Sequence, residues 1–157
     1  MNERSERTNR VLANVFLVLA IIGFIDSLYL AIAYSTDTEL SCAFLSGCNE
    51  VAQSPYSSIA GVSLPFLGLL YYFFSITNAL YYLATHRLAA ATMLAYLGTL
   101  GFLASLYFTF LQAFVIKAFC IYCLISAGTA TFLFIIGIVI RKRHIRLHIT
   151  NEHESAH

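Results

Sequence analysis

Four long apolar segments constrain the fold of this chain more than any other feature of its sequence. They cover residues 11–34, 65–84, 88–110 and 118–140. Each is about 20 residues or longer, which is enough to cross a hydrocarbon core of about 30 Å as a helix. Helices are expected because backbone groups in lipid must be satisfied within their own segment. Only residues 85–87 join the second and third segments, so an antiparallel hairpin and an all-α bundle of four transmembrane helices are predicted.

The composition excludes the main alternatives to a membrane protein. Hydrophobic residues make up 59% of the 157 residues and charged residues 11%, against about 45–50% and about 25% in an ordinary soluble domain. A small soluble domain could not bury that excess, because much of its surface stays exposed. The net charge of +1 gives no support to nucleic-acid binding, which needs a clustered basic face. We therefore predict a single membrane domain over residues 1–157, with lipid and no nucleic acid around it.

The basic residues predict the orientation of the bundle. Eight of the nine Lys and Arg residues fall on one side of a four-span arrangement, and only Lys117 falls on the other. The positive-inside rule makes the basic side cytoplasmic. Both termini are then cytoplasmic, and the loops at 35–64 and 111–117 lie outside the cell's inner or plasma membrane. A signal peptide ending near Ala33 is a competing interpretation of the first segment, but its apolar stretch exceeds the typical core of about 7–15 residues.

The four cysteines are the residues most capable of chemistry. Cys42 and Cys48 lie in the first outer loop, and Cys120 and Cys123 form a Cys-x-x-Cys motif where the last segment begins. All four therefore lie at the oxidising face, where disulfides persist. A lone cysteine in a membrane helix is usually a small hydrophobe, but two pairs at one face favour redox chemistry. A closed zinc site is a weaker alternative, because the spacing is unequal and Cys123 has apolar surroundings.

The position of Cys120 favours a reactive thiolate. The pKa of a cysteine falls near helix N-termini and basic side chains, and Lys117 lies three residues before Cys120. A solvated interfacial lysine is the simpler interpretation of Lys117. Cys123 lies one turn deeper on nearly the same helix face. A hydrophobic electron carrier could reach this second sulfur from the membrane.

The cysteines and the segment Ser54-Pro55-Tyr56 between the two pairs resemble the vitamin K epoxide reductase family, and its bacterial and archaeal members most. The resemblance covers about residues 11–140. It implies a quinone-dependent thiol-disulfide oxidoreductase that supports disulfide bond formation. The implied electron acceptor is a quinone of the ubiquinone, menaquinone or vitamin K type, and no metal is implied.

The resemblance also implies a role for each matched residue. Cys42 exchanges with a thioredoxin-like or DsbA-like protein, and Cys48 passes electrons on to Cys120. Cys123 then faces the quinone. Ser54 matches the family's loop serine near the quinone site, although a turn residue before a proline would explain this serine as well.

The chain departs from the family's patterns in two places. Only 17 residues follow Ile140, which leaves no room for the thioredoxin-like domain that some members carry, so a separate redox partner is expected. Animal members place an Asn near the start of the second helix and a Tyr one turn beyond the second motif cysteine. Here those positions fall within residues 63–66 and on Ala127. Vitamin K epoxide or quinone reduction is therefore the second candidate function, and a non-enzymatic scaffold with structural disulfides is the third.

Two further groups of ionisable residues have alternative interpretations. Asp26 lies inside the first segment, where acids are rare and often functional. It is a candidate proton acceptor during quinone reduction, but a structural hydrogen bond between helices is favoured. Four histidines follow the last segment at positions 144, 148, 153 and 157. Their wide spacing is not a metal-ligand pattern, so a solvated cytoplasmic tail is predicted.

Overall fold

The computed structural model describes residues 3–36, 48–52, 54–59 and 61–155. Four long helices dominate this part of the chain: α1 (Glu3–Ser35), α3 (Leu64–Thr85), α4 (Leu88–Phe110) and α5 (Ile121–Ser155). A short helix, α2 (Cys48–Ala52), lies between α1 and α3, and a π-helix (Leu111–Ile116) continues α4. Each of the four long helices is long and apolar enough to cross a membrane. The predicted all-α bundle of four membrane helices is confirmed.

The link between α3 and α4 shows why these helices run antiparallel. His86 adopts the left-handed conformation, with a φ of 48°, and its N–H group donates to the carbonyl oxygen of Tyr82 at 2.8 Å. A left-handed residue after the last helical position is a common way to end a helix. The next helix begins at Leu88, so the chain reverses within two residues.

Small residues allow α4 and α5 to approach each other closely. A Cβ atom on Gly98 would lie 2.7 Å from the Cα atom of Phe134, and one on Gly137 would lie 2.7 Å from the carbonyl oxygen of Leu94. Backbones approach this closely in membrane helix pairs where glycine removes the side chain. The buried core beside this contact includes Leu94 and Leu133, both fully buried. Helix α1 packs on the other side of the bundle, against α3 and α5.

The surface of the bundle is apolar. Large hydrophobic side chains are more than half exposed on every long helix, among them Val11, Leu70, Leu100 and Phe132. An apolar surface of this extent would be costly in water, and it matches the hydrocarbon core of a bilayer. The chain is an integral membrane protein.

Two predicted boundaries are wrong. The outer loop predicted for residues 111–117 is a π-helix up to Ile116, because the apolar, proline-free sequence continues the helix of α4. The last helix begins at Ile121 rather than at residue 118, because Lys117 leaves the helical conformation with a φ of 57°.

The last helix also extends further than predicted. It runs to Ser155, far beyond residue 140, so the predicted polar tail is helical. Its residues after Gly137 include no further Gly or Pro, and Arg, Lys and Glu are good helix formers in water.

A minimal antiparallel hairpin precedes α3, and the sequence analysis does not predict it. Strand β1 (Ser58–Ile59) pairs with β2 (Val62–Ser63). Gly61 in the turn has a φ of 81°, which only glycine adopts readily. A turn of 3-10 helix, Pro55–Ser57, lies directly before the hairpin.

Candidate active site

The Cys-x-x-Cys motif forms the first turn of α5. Cys120 is the capping residue, because its carbonyl oxygen accepts the first bond of the helix from the N–H group of Leu124 at 3.1 Å. Cys123 is then the third residue of the helix, so its side chain lies above that of Cys120. Both thiols are free, and the Cys120 side chain is buried. The sequence spacing therefore places two reduced sulfurs in contact.

The Cys120 thiol ionises more readily than an ordinary cysteine. A hydrogen bond from the Cys123 thiol lowers the pKa of Cys120 to about 7, although burial opposes this shift. The backbone N–H groups of Cys123 and Tyr122 lower the pKa further, and the charge of Asp26 raises it. N–H groups at the second and third helical positions are the ones that a capping side chain meets. Lys117 is exposed at the end of the π-helix, and its predicted influence on this pKa stays a prediction.

Gln112 is a site residue that the sequence analysis missed. Its side chain is 3% exposed, and its Oε1 atom accepts a hydrogen bond from the backbone N–H group of Cys120 at 3.0 Å. Its side chain also lies close enough to the Cys123 sulfur to act on it. The available signal was an isolated amide within an apolar segment, eight residues before the first motif cysteine.

A cavity of about 810 Å³ lies at this end of the bundle. Its wall includes Cys48, Cys120, Cys123 and Ser54, which bring four of the predicted site residues to one space. Most of the wall is apolar, with leucine and alanine side chains from α1, α3, α4 and α5. Apolar cavities of about 300–1,000 Å³ with a few polar groups are typical ligand sites. The lining suits an apolar ligand.

Cys48 enters this cavity from the short helix α2. It is the first residue of α2, it is 1% exposed, and it is disulfide-bonded. Helix α2 packs against the π-helix that carries Gln112. The structure therefore places the oxidised loop cysteine and the two reduced motif cysteines around the same space. Cys42 lies outside the described residues.

Ser54, the serine predicted to lie near the quinone, forms a hydrogen bond within its own turn. The Ser54 hydroxyl donates to the carbonyl oxygen of Val51 at 2.8 Å, and Ser54 directly precedes the turn that begins at Pro55. This is the role of a turn residue, performed by a side chain that also lines the cavity. Its part in quinone binding stays a prediction. Ala127, at the position of the missing tyrosine, lines the cavity as well.

Asp26 lies near the motif. One of its carboxylate oxygens is buried but does not form the hydrogen bond between helices that was favoured for this residue. Its Oδ2 atom is buried and has no hydrogen-bond partner among the described residues. The negative charge of Asp26 nevertheless raises the pKa of Cys120.

Tyr72 is a second residue that the sequence analysis missed. It is 1% exposed, and its hydroxyl lies 2.8 Å from the Ser126 hydroxyl at the cavity wall.

The sequence model of the vitamin K epoxide reductase family matches residues 14–138. The chain belongs to this family. The match covers all four cysteines and the four membrane helices over most of their length. As a vitamin K epoxide reductase family member, the protein is a membrane oxidoreductase, and the family suggests thiol oxidation or quinone reduction. No curated protein matches the chain significantly.

Within the part of the chain that the structure describes, no three His, Cys, Asp or Glu side chains converge in a way that could hold a metal ion. In this vitamin K epoxide reductase family member, the disulfide-bonded Cys48 and the free thiols of Cys120 and Cys123 line one apolar cavity.

Proposed function

We propose that this protein oxidises a separate thioredoxin-like or DsbA-like protein and passes the electrons to a quinone, and so supports disulfide bond formation. The observation that carries this proposal is the shared cavity of Cys48, Cys120 and Cys123. The overall reaction converts a partner dithiol and a quinone into a partner disulfide and a hydroquinone. Two electrons and two protons move, so no other reactant is needed.

The loop cysteines receive the electrons first. A partner thiolate attacks Cys42 of a Cys42–Cys48 disulfide, and Cys48 leaves with the electron pair of the broken bond. The second partner thiol then resolves the mixed disulfide, which leaves the partner oxidised and both loop cysteines reduced. Such exchange always proceeds through a mixed disulfide.

The motif cysteines receive the electrons next. The Cys48 thiolate attacks the Cys120 sulfur of a Cys120–Cys123 disulfide, and Cys123 leaves as a thiolate. Cys42 then resolves the bond between Cys48 and Cys120. The result is a Cys42–Cys48 disulfide and two free motif thiols.

The described residues around the cavity have defined tasks when a quinone is bound. The quinone supplies the electron sink of the reaction. Cys123 lies three residues further into the helix than Cys120, about 4.5 Å along its axis, and faces the quinone. Ser54 orients the quinone when its hydroxyl turns from the Val51 carbonyl oxygen to donate to a quinone oxygen. Asp26, which lies behind the cavity wall, takes part in proton transfer. The variants Ser54→Ala and Asp26→Asn, measured in the quinone assay below, test these two roles.

A stopped-flow assay that follows partner oxidation and quinone absorbance separately tests the function. We expect the wild-type protein to reduce ubiquinone or menaquinone with a reduced thioredoxin-like protein as donor. In Cys123→Ser, quinone reduction is lost, while exchange between the partner and the loop cysteines survives. Normal quinone reduction by Cys123→Ser would place the terminal electron donor elsewhere, and no quinone reduction by the wild type would contradict the function.

The order of the relay has a separate test. In Cys42→Ala, Cys48 lacks the cysteine that resolves its bond to Cys120, so the Cys48–Cys120 disulfide should accumulate. Mass mapping of peptides under non-reducing conditions detects this link. The double variant Cys42→Ala with Cys120→Ala is the control, since it contains no acceptor for Cys48. Failure to find the link in the single variant would show that electrons take another route.

A further inference from the structure

The side chain of Gln112 joins the end of α4 to the start of α5. The backbone N–H group of Cys120 precedes the first turn of α5, where intrahelical bonding leaves N–H groups without partners. Gln112 Oε1 accepts this bond at 3.0 Å. The glutamine therefore completes the capping of α5 from the preceding π-helix.

The other end of the same amide meets the second cysteine. Gln112 and Cys123 line the same cavity, and because Oε1 is bound to the Cys120 N–H group, the amide NH2 group is the end of Gln112 that can donate to the Cys123 sulfur. Buried polar side chains are expected to satisfy their hydrogen-bonding groups. The two ends of the Gln112 amide find their partners on the two motif cysteines, the oxygen on the backbone of Cys120 and the NH2 group on the side chain of Cys123.

The local geometry that orients Gln112 is a π-helix, Leu111–Ile116. Each hydrogen bond in such a segment spans one residue more than in an α-helix, and π-helical turns frequently occur at functional sites. Here it buries Leu111 and Gln112 together, while Phe114 and Val115 remain exposed on the apolar surface. The π-helix thus directs the amide inward at the end of α4.

We propose that Gln112 is a positioning residue for the redox step: it holds the Cys120 backbone and stabilises the Cys123 sulfur as the thiolate released from the Cys120–Cys123 disulfide. The inference rests on the proposed function, because that disulfide is the one attacked by Cys48. In the attack, a Cys48–Cys120 bond forms, the Cys120–Cys123 bond breaks, and its electron pair goes to Cys123. An anion in an apolar cavity is costly unless it is hydrogen-bonded, and an N–H donor to an anionic sulfur is a strong bond of this kind.

Gln112→Glu separates the two contacts of Gln112. A carboxylate keeps an oxygen for the Cys120 N–H group, but it places a negative charge where the amide donated to Cys123. The reduced protein in detergent is alkylated with iodoacetamide over a range of pH, and mass spectrometry follows Cys123 by its peptide. We expect the Cys123 profile, the alkylation rate against pH, to lie about tenfold below that of the wild type at each pH, because the sulfur loses a donor and gains a negative neighbour.

Asn78→Leu is the matched control. The Asn78 side chain donates to the carbonyl oxygen of Ala90 at 3.2 Å, so it is also an amide that joins two helices, but it lies in the opposite half of the bundle. We expect this variant to lower thermal stability and to leave the Cys123 profile unchanged. A Gln112→Glu profile that superimposes on the wild type overturns the inference. Where the glutamate variant does not fold, Gln112→Met, which has a similar length and no N–H donor, is expected to show the same loss of alkylation rate, and a profile equal to that of the wild type overturns the inference equally.

This measurement contains neither quinone nor partner, so it is independent of the proposed function. A shifted profile together with a wild type that reduces no quinone would refute the proposed function and support the positioning role. Normal quinone reduction together with an unshifted profile would refute the positioning role alone.

Discussion

Cys120 and Cys123 are three residues apart, yet their surroundings differ. Cys120 caps the helix and accepts hydrogen bonds from the Cys123 thiol and from backbone N–H groups, which lower its pKa to about 7. Cys123 lies within the apolar part of α5 and contacts Gln112. The Cys120 sulfur therefore reacts as a thiolate near neutral pH. The Cys123 sulfur receives negative charge only when its bond to Cys120 breaks.

The pH dependence of Cys120 alkylation tests this difference. Because its pKa is lowered to about 7, the reactive thiolate predominates above pH 7 and is lost below it. Cys123→Ala removes the donor that contributes most, so the pKa of Cys120 should rise towards the ordinary value of about 8.5, and alkylation at pH 7 should slow roughly tenfold. Peptide-resolved mass spectrometry of the reduced protein measures both profiles. Cys123→Ser retains a hydroxyl donor and should shift less; equal profiles for Cys123→Ala and the wild type would contradict the explanation.

At the scale of the helices, the contact between α4 and α5 depends on Gly98. A side chain there would meet the backbone of α5, since even a Cβ atom would lie 2.7 Å from the Phe134 Cα atom. Gly98→Val should therefore destabilise the protein by about 1–3 kcal/mol, the usual cost of inserting atoms into a packed core. Thermal unfolding in detergent measures the change.

Gly128→Ala provides the control for this substitution. A Cβ atom on Gly128 would meet no atom within 4 Å, and alanine favours a helix over glycine by about 1 kcal/mol. Gly128→Ala should thus leave the melting temperature unchanged or raise it. A comparable loss of stability in both variants would show that glycine itself, rather than the close helix contact, matters at position 98.

The sequence predicts the helices of this bundle and the cysteine pairs better than it predicts the connections. The apolar length of α1, α3, α4 and α5 follows directly from the thickness of a bilayer. The π-helix and the contact of Gln112 with Cys120 could not be predicted, because they depend on how the end of α4 is rotated relative to α5. That rotation is set by packing across the bundle, which no local sequence pattern records.

At the scale of the whole molecule, the bundle has one basic end and one end that carries the site. Arg87 lies in the link between α3 and α4, whereas Cys120 follows the opposite end of α4. The charge asymmetry predicts that the basic end is cytoplasmic, and the cysteines then lie outside, where disulfides persist.

Labelling of intact cells tests this orientation. After mild reduction, a membrane-impermeant maleimide should modify Cys42. A cysteine placed at the basic end by Thr85→Cys, in a chain whose own cysteines are replaced by alanine, should react only after the membrane is opened. The reverse pattern would show that the termini lie outside the cell.

The length of α5 also matters for anything joined to it. Its 35 residues correspond to a rod of about 50 Å at 1.5 Å per residue, of which a bilayer core covers about 30 Å. The last turns therefore extend well beyond the lipid at the basic end. A soluble tag continued in helical register from these turns would be held at a fixed distance and tilt, which would give this small bundle a rigid marker for particle alignment in electron cryomicroscopy.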